Sequence, residues 1–132
     1  MIGFYRLAAV ILLLFNGIGA MYGGYLFITA PDGSLMQMPL SFLEHSPFPN
    51  FLIPGIILFV FNGVFSLVTS VCIILKTRKY PLMIVFQGVV LLIWITVQIA
   101  MIRSYDAVLH TTFLAVGFLF IFLGRKLHSK TG

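Results

Sequence analysis

The sequence predicts an all-α integral membrane protein: a four-helix bundle with both termini cytoplasmic and a short interfacial helix in the first outer loop. Three observations predict it. The 132 residues are 61% hydrophobic and only 8% charged, whereas a soluble domain carries roughly a quarter of its residues as charge. Four apolar runs reach the ~20 residues that a helix needs to cross hydrocarbon. Seven of the eight basic residues fall at the two chain ends and in one interhelical turn, which four antiparallel spans gather on one side. The whole chain, residues 1–132, reads as a single four-span domain.

The first span is expected at about Phe4–Ile28. Arg6 ahead of an apolar run resembles a signal peptide, but the run exceeds an ~7–15-residue signal core, and Ala20-Met21-Tyr22 offers no small-x-small cleavage site. It is therefore read as a retained helix. The second span is expected at about Asn50–Leu75, with Pro54 early enough to begin or bend it. The third is expected at about Pro81–Ile102, with the proline at a helix start, where its missing N–H costs nothing. The fourth is expected at about Tyr105–Leu123.

The charged residues orient the spans. Arg6, Lys76, Arg78, Lys79, Arg125, Lys126 and Lys130 share one side; Arg103, Asp32, Glu44 and Asp106 share the other. The positive-inside rule places the basic side, with both termini, in the cytoplasm. The net charge of +5 then serves orientation and attraction to lipid head groups, and a nucleic-acid partner is not expected. In the outer loop, Pro31-Asp32-Gly33-Ser34 is a turn signal. Pro39 can open a short helix whose apolar side is Leu40, Phe42 and Leu43, lying on the outer interface.

Two asparagines stand in the oil. Asn16 lies ten residues past Arg6, and Asn62 twelve past Asn50, so both sit near mid-depth. An amide facing lipid leaves donors and acceptors unmet. The expected remedy is an Asn16–Asn62 hydrogen bond at a close contact between the first two helices. Gly19 and Gly23 form a GxxxG pair on the first helix, and Gly63 and Ser66 accompany Asn62 on the second. Lining of a ligand cavity is the functional alternative for the same amides.

The third helix carries Gln87, Leu91, Trp94, Gln98 and Met101 on one face, at i, i+4, i+7, i+11 and i+14. Tryptophan prefers the membrane interface, yet Trp94 is near mid-span. The stripe is expected to face the bundle interior, either packed or as one wall of a pocket. Arg103, His110, Glu44 and His45 map to the outer end, where Arg103 could cap such a pocket for an anionic head group.

Catalytic chemistry is not indicated. No His pair stands at i, i+4 on one helix, the spacing that would favour a metal. Glu44 and His45 are adjacent, so on a helix they point ~100° apart. The lone Cys72 has no CxxC partner. No nucleophile–base spacing or glycine-rich phosphate loop appears. Proton-coupled antiport needs a protonatable group at depth, and all three carboxylates are expected outside the hydrocarbon.

"SPFPNFLIPGIILFVFNG" and "QGVVLLIWITVQI" resemble a group of small four-span bacterial membrane proteins. In that group a Pro-Phe precedes an apolar Pro-Gly-x-x-Leu, and a Gly-x-x-Leu-x-x-Trp-x-x-x-Gln follows. The matching positions are Pro47, Phe48, Pro54, Gly55 and Leu58, then Gly88, Leu91, Trp94 and Gln98. The layout is also similar to the broader DoxX-like four-helix class, some members of which are linked with respiratory or sulfur-oxidising membrane complexes. The resemblance implies the fold and a bacterial inner membrane, and carries no activity with it. The expected function is a non-enzymatic module that binds a lipid, a quinone or another apolar ligand, or an accessory subunit of a membrane complex, with a homo-oligomer allowed. The alternative is a membrane enzyme or small transporter using the outer polar cluster. No cofactor or metal is identified.

Overall fold

The computed structural model describes residues 2–36, 43, 46–102 and 107–131. Helix α1 spans Ile2–Thr29. It ends where Ala30 precedes Pro31, since the residue before a proline is driven out of the helical region. A turn follows, with Gly33 donating to the Ala30 carbonyl at 3.0 Å. Gly33 sits at φ 80°, a conformation glycine adopts without steric cost. The returning chain is tied to this turn by a bond from the Phe51 N–H to the Pro31 carbonyl, 2.8 Å.

Helix α2 spans Leu52–Ile74. The Asn50 Oδ1 accepts from the Leu52 N–H at 3.0 Å, and Pro54 lies in the first turn, where no N–H is needed. The stretch Leu58–Val64 is π-helical, and the Phe65 N–H reaches back five residues to the Val60 carbonyl. Lys76 ends α2 in the left-handed region, at φ 55°. Its N–H bonds Ile73 O and the Thr77 N–H bonds Cys72 O, both at 3.0 Å, the paired bonds of a Schellman cap. Helix α3 then spans Tyr80–Ile102 and α4 spans Ala107–Thr131. The fourth helix therefore continues past Leu123 through Arg125 and Lys126, good helix formers that reach water.

These four helices are each long and apolar enough to cross a membrane, the architecture of a multi-pass membrane protein. Their surface agrees. Phe4, Leu7, Ile18, Ile74, Phe86 and Phe118 are exposed, while Asn16, Asn62, Ser66, Thr69, Ser70 and Gln87 are buried. A chain in water would invert that pattern. Ser70 and Thr69 satisfy their own hydroxyls on the carbonyls four residues back, at 3.0 and 2.8 Å.

Glycines pair the helices. In α3 and α4, Gly88 abuts the Gly117 carbonyl, and Gly124 abuts the Pro81 carbonyl; a methyl built on Gly88 or Gly124 would lie 2.7 Å from those oxygens. Both steps are seven residues, two helical turns. In α1 and α2 the partners are Gly17 with Gly63 and Gly24 with Gly55. The step is seven residues on α1 but eight on α2. The π-helical stretch absorbs the extra residue, and so keeps Gly55 and Gly63 on one face. The expected GxxxG contact is accordingly made by Gly17 and Gly24; nothing lies within 4 Å of a methyl built on Gly19.

The chain start, the Lys76–Lys79 turn and the end of α4 lie together. Arg6 Nε donates to the Tyr80 hydroxyl at 2.8 Å, and the Tyr5 and Phe122 rings meet edge-on at 6.4 Å. Leu13, Ile73, Ile84, Phe120 and Leu127 are buried in the main apolar core, which continues through Leu91 and Ile95; an open groove of about 450 Å³ runs along the outside of α4 there, past Phe118, Phe122, Arg125 and Lys126. At the other end Phe27, Leu43 and Phe51 form a separate small cluster. The interfacial helix expected around residues 39–44 falls, apart from Leu43, outside the described residues.

Candidate ligand cavity between the helices

Beside the Phe27–Leu43–Phe51 cluster lies a cavity of about 270 Å³. Helix α1 contributes Asn16, Gly19, Ala20, Gly23 and Phe27; α3 contributes Leu91, Trp94, Ile95 and Gln98. Leu58 of α2 and Phe113 of α4 complete the wall. Two of the wall residues are held by ring contacts: Phe113 stacks on Phe15 at 5.7 Å and 13°, joining α4 to α1, and Phe27 stacks on Phe51 at 4.7 Å and 15°. Gly19 is exposed and has open surroundings, so the mouth lies at its edge of α1. The size is near the lower end of small-molecule sites, which are mostly apolar with a few placed polar groups.

A second crevice of about 270 Å³ opens between α2 and α3, lined by Ile57, Phe61 and Asn62 facing Val90, Ile93 and Trp94, with Phe48 and Val97 at its rim. Trp94 borders both voids. It is also the chain's one tryptophan.

Through Asn16 the cavity wall joins a buried amide network. Asn16 Nδ2 donates to Ser66 Oγ at 3.0 Å and to the Asn62 main-chain carbonyl at 3.3 Å. Gln87 Nε2 donates to Asn62 Oδ1 at 3.3 Å. The Asn16–Asn62 contact expected between side chains thus runs from side chain to backbone, and the Asn62 side chain serves α3 instead. Such bonds contribute about 0.6–2 kcal/mol each in a membrane, enough to fix register among three helices. Two buried atoms in this network, Asn62 Nδ2 and Gln87 Oε1, have no partner; an unmet donor or acceptor of this kind costs about 1–3 kcal/mol.

The predicted residues are distributed as follows. Trp94 and Gln98 line the cavity, as do Asn16, Gly19 and Gly23. Gln87 is fully buried beside Asn62 and away from the cavity wall. Ser66 anchors Asn16, and Gly63 packs on Gly17. His110 is buried in the first turn of α4 and has an interaction partner. Glu44, His45, Arg103 and Asp106 lie outside the described residues, so the outer cluster cannot be assembled from them. Asp32 is exposed in its turn, where the Ser34 N–H, at 3.0 Å, and the Ser34 hydroxyl hold its carboxyl below the usual carboxylate range. Among the described residues no three His, Cys, Asp or Glu side chains gather as a metal site.

Sequence reasoning missed Leu58, Phe27 and Phe113 as cavity walls. Nothing in an apolar residue's identity separates one that borders a void from one that fills it. Ala20 was legible, since it shares a face with Asn16 and Gly23.

Fold and site together define a class: a multi-pass, four-helix membrane protein with a mostly apolar cavity between its helices, one wall of which is tied through Asn16 to a buried amide network. No protein-family model, curated protein or solved structure matches the chain, so the class rests on its own residues.

Proposed function

We propose that the chain is a non-enzymatic membrane module that holds a lipid or another apolar ligand, such as a quinone, between its helices. The observation that carries this reading is the cavity itself. Between the first and third helices the bundle keeps a void with Asn16, Trp94 and Gln98 at its wall, three polar-tipped side chains in an otherwise apolar lining. The chemistry of that wall is binding chemistry, with amide and indole groups and no nucleophile. The gathered cations support a topology with both termini in the cytoplasm, and the motif resemblance supports a bacterial inner membrane. Such a module works alone, as a homo-oligomer, or as an accessory subunit of a larger membrane complex.

Native mass spectrometry of protein extracted in mild detergent tests the reading. A stoichiometric small-molecule adduct, lost on delipidation together with a shift in Trp94 emission, is the expected result. Protein that carries no adduct, and whose Trp94 emission is unmoved by delipidation, would overturn it.

A further inference from the structure

We infer that the cavity selects an apolar ligand whose polar end donates a hydrogen bond, an alcohol or a phenol, over the same skeleton ending in an ether or ester. The inference rests on the ligand-binding reading above and narrows its chemistry: a hydroxyl-bearing lipid or the reduced, phenolic form of a quinone fits, and the oxidised quinone does not. Asn16 is 2% exposed and lines the cavity. Its Nδ2 is engaged twice, by Ser66 Oγ and by the Asn62 carbonyl. A main-chain carbonyl can only accept, so the amide cannot turn over: reversal would set Oδ1 against the Asn62 oxygen at the same 3.3 Å. The Asn16 atom left for a ligand is therefore Oδ1, a fixed acceptor with no donor among the described residues.

The other polar groups at the wall do not impose the same demand. Among the described residues nothing hydrogen-bonds the Gln98 amide, so it can present either end. The Trp94 Nε1–H is a donor, so it accommodates an ether or carbonyl oxygen as readily as a hydroxyl. Selection between a donor-bearing ligand and a donor-less one falls to Asn16. A ligand lacking the donor leaves Oδ1 desolvated and unmatched, and a hydrogen bond of this kind is worth about three- to tenfold in affinity.

The test uses the full chain in phosphatidylcholine nanodiscs and two probes, 12-bromododecan-1-ol and its methyl ether, with bromine quenching of Trp94 as the readout. Occupancy is expressed against probe mole fraction in the bilayer, which removes differences in partitioning. Saturable quenching is expected at about three- to tenfold lower mole fraction for the alcohol. Ser66→Ala, which leaves the Asn62 carbonyl to orient Asn16, should keep the preference, and Asn16→Leu should erase it. Equal saturable binding of the two probes would overturn this inference while leaving a ligand site standing. Absence of saturable quenching by either would overturn both. If Asn16→Leu folds and still prefers the alcohol, the acceptor lies elsewhere and the inference fails; if it does not fold, the wild-type pair decides.

Discussion

Replacing Gly24 by alanine tests the helix pairing directly. The added methyl would lie 2.8 Å from the Gly55 carbonyl oxygen, 2.8 Å from Phe59 Cβ and 2.9 Å from the Phe59 nitrogen. Two of these are backbone atoms, so no side-chain rotation relieves the contact. Ordinary separation begins near ~3.5 Å, so α1 and α2 must part by roughly 0.6 Å or more. The same displacement carried to the Asn16–Ser66 bond, 3.0 Å long, takes it to the edge of hydrogen-bonding range. Overpacking of this kind costs about 1–3 kcal/mol. Gly19→Ala is the matched control, because it sits on the same helix and its methyl meets nothing within 4 Å. The gain in helix propensity is common to both substitutions and cancels in the comparison. Unfolding in bicelles, followed by far-ultraviolet circular dichroism and Trp94 emission, should therefore place Gly24→Ala about 1–3 kcal/mol below Gly19→Ala. Equal stabilities, or the reverse order, would refute the pairing through Gly17 and Gly24.

Other outcomes follow from the same geometry. Deleting Phe61, an exposed residue inside the π-helical stretch, should leave a folded protein with a regular α2, since Gly55 and Gly63 would then stand seven apart. Deleting Val68, equally exposed but beyond that stretch, should rotate α2 by ~100° and abolish folding, as read by circular dichroism. Gln87→Leu should destabilise by about 1–3 kcal/mol, because it leaves both ends of the Asn62 amide unmet. Adding Asn62→Leu should recover part of that loss, a non-additivity a double-mutant cycle would measure. The Asp32 carboxyl, followed by NMR, should titrate below the usual carboxylate range, and Ser34→Ala should move it partway back. Because its folded-state value is depressed, its contribution to the turn is present above the ordinary carboxylate value and is lost as pH falls through the lowered one.

Much of the architecture could be read from the sequence because membrane physics leaves few choices. Apolar runs of spanning length must be helices, and cations sort to one end. The burial of Asn16 and Asn62 was legible for the same reason, since an amide has no partner in hydrocarbon. Their bonds were not. An eight-residue step between Gly55 and Gly63 reads as a mismatch in a regular helix; only the π-helical insertion reconciles it, and that insertion accompanies the turn of the Asn62 side chain toward Gln87 and α3. The choice among glycines was equally hidden. Gly17, Gly19, Gly23 and Gly24 occupy several faces of α1, and selecting Gly17 with Gly24 requires knowing where α2 lies. The Trp94–Gln98 stripe was recognisable as inward-facing, but whether its neighbours fill the space or leave it empty depends on volumes contributed by three other helices.

The position of the cavity mouth has a thermodynamic corollary. In a bilayer spanned by α1, an opening beside Gly19, midway along that helix, would meet acyl chains and not water. On the ligand-binding reading, a ligand entering there would already have left the aqueous phase, so most of its hydrophobic transfer free energy would belong to partitioning and not to the protein. Occupancy then follows two-dimensional crowding within the leaflet, and diluting the membrane with inert lipid should empty the site even while the total amount of ligand per volume of buffer stays constant.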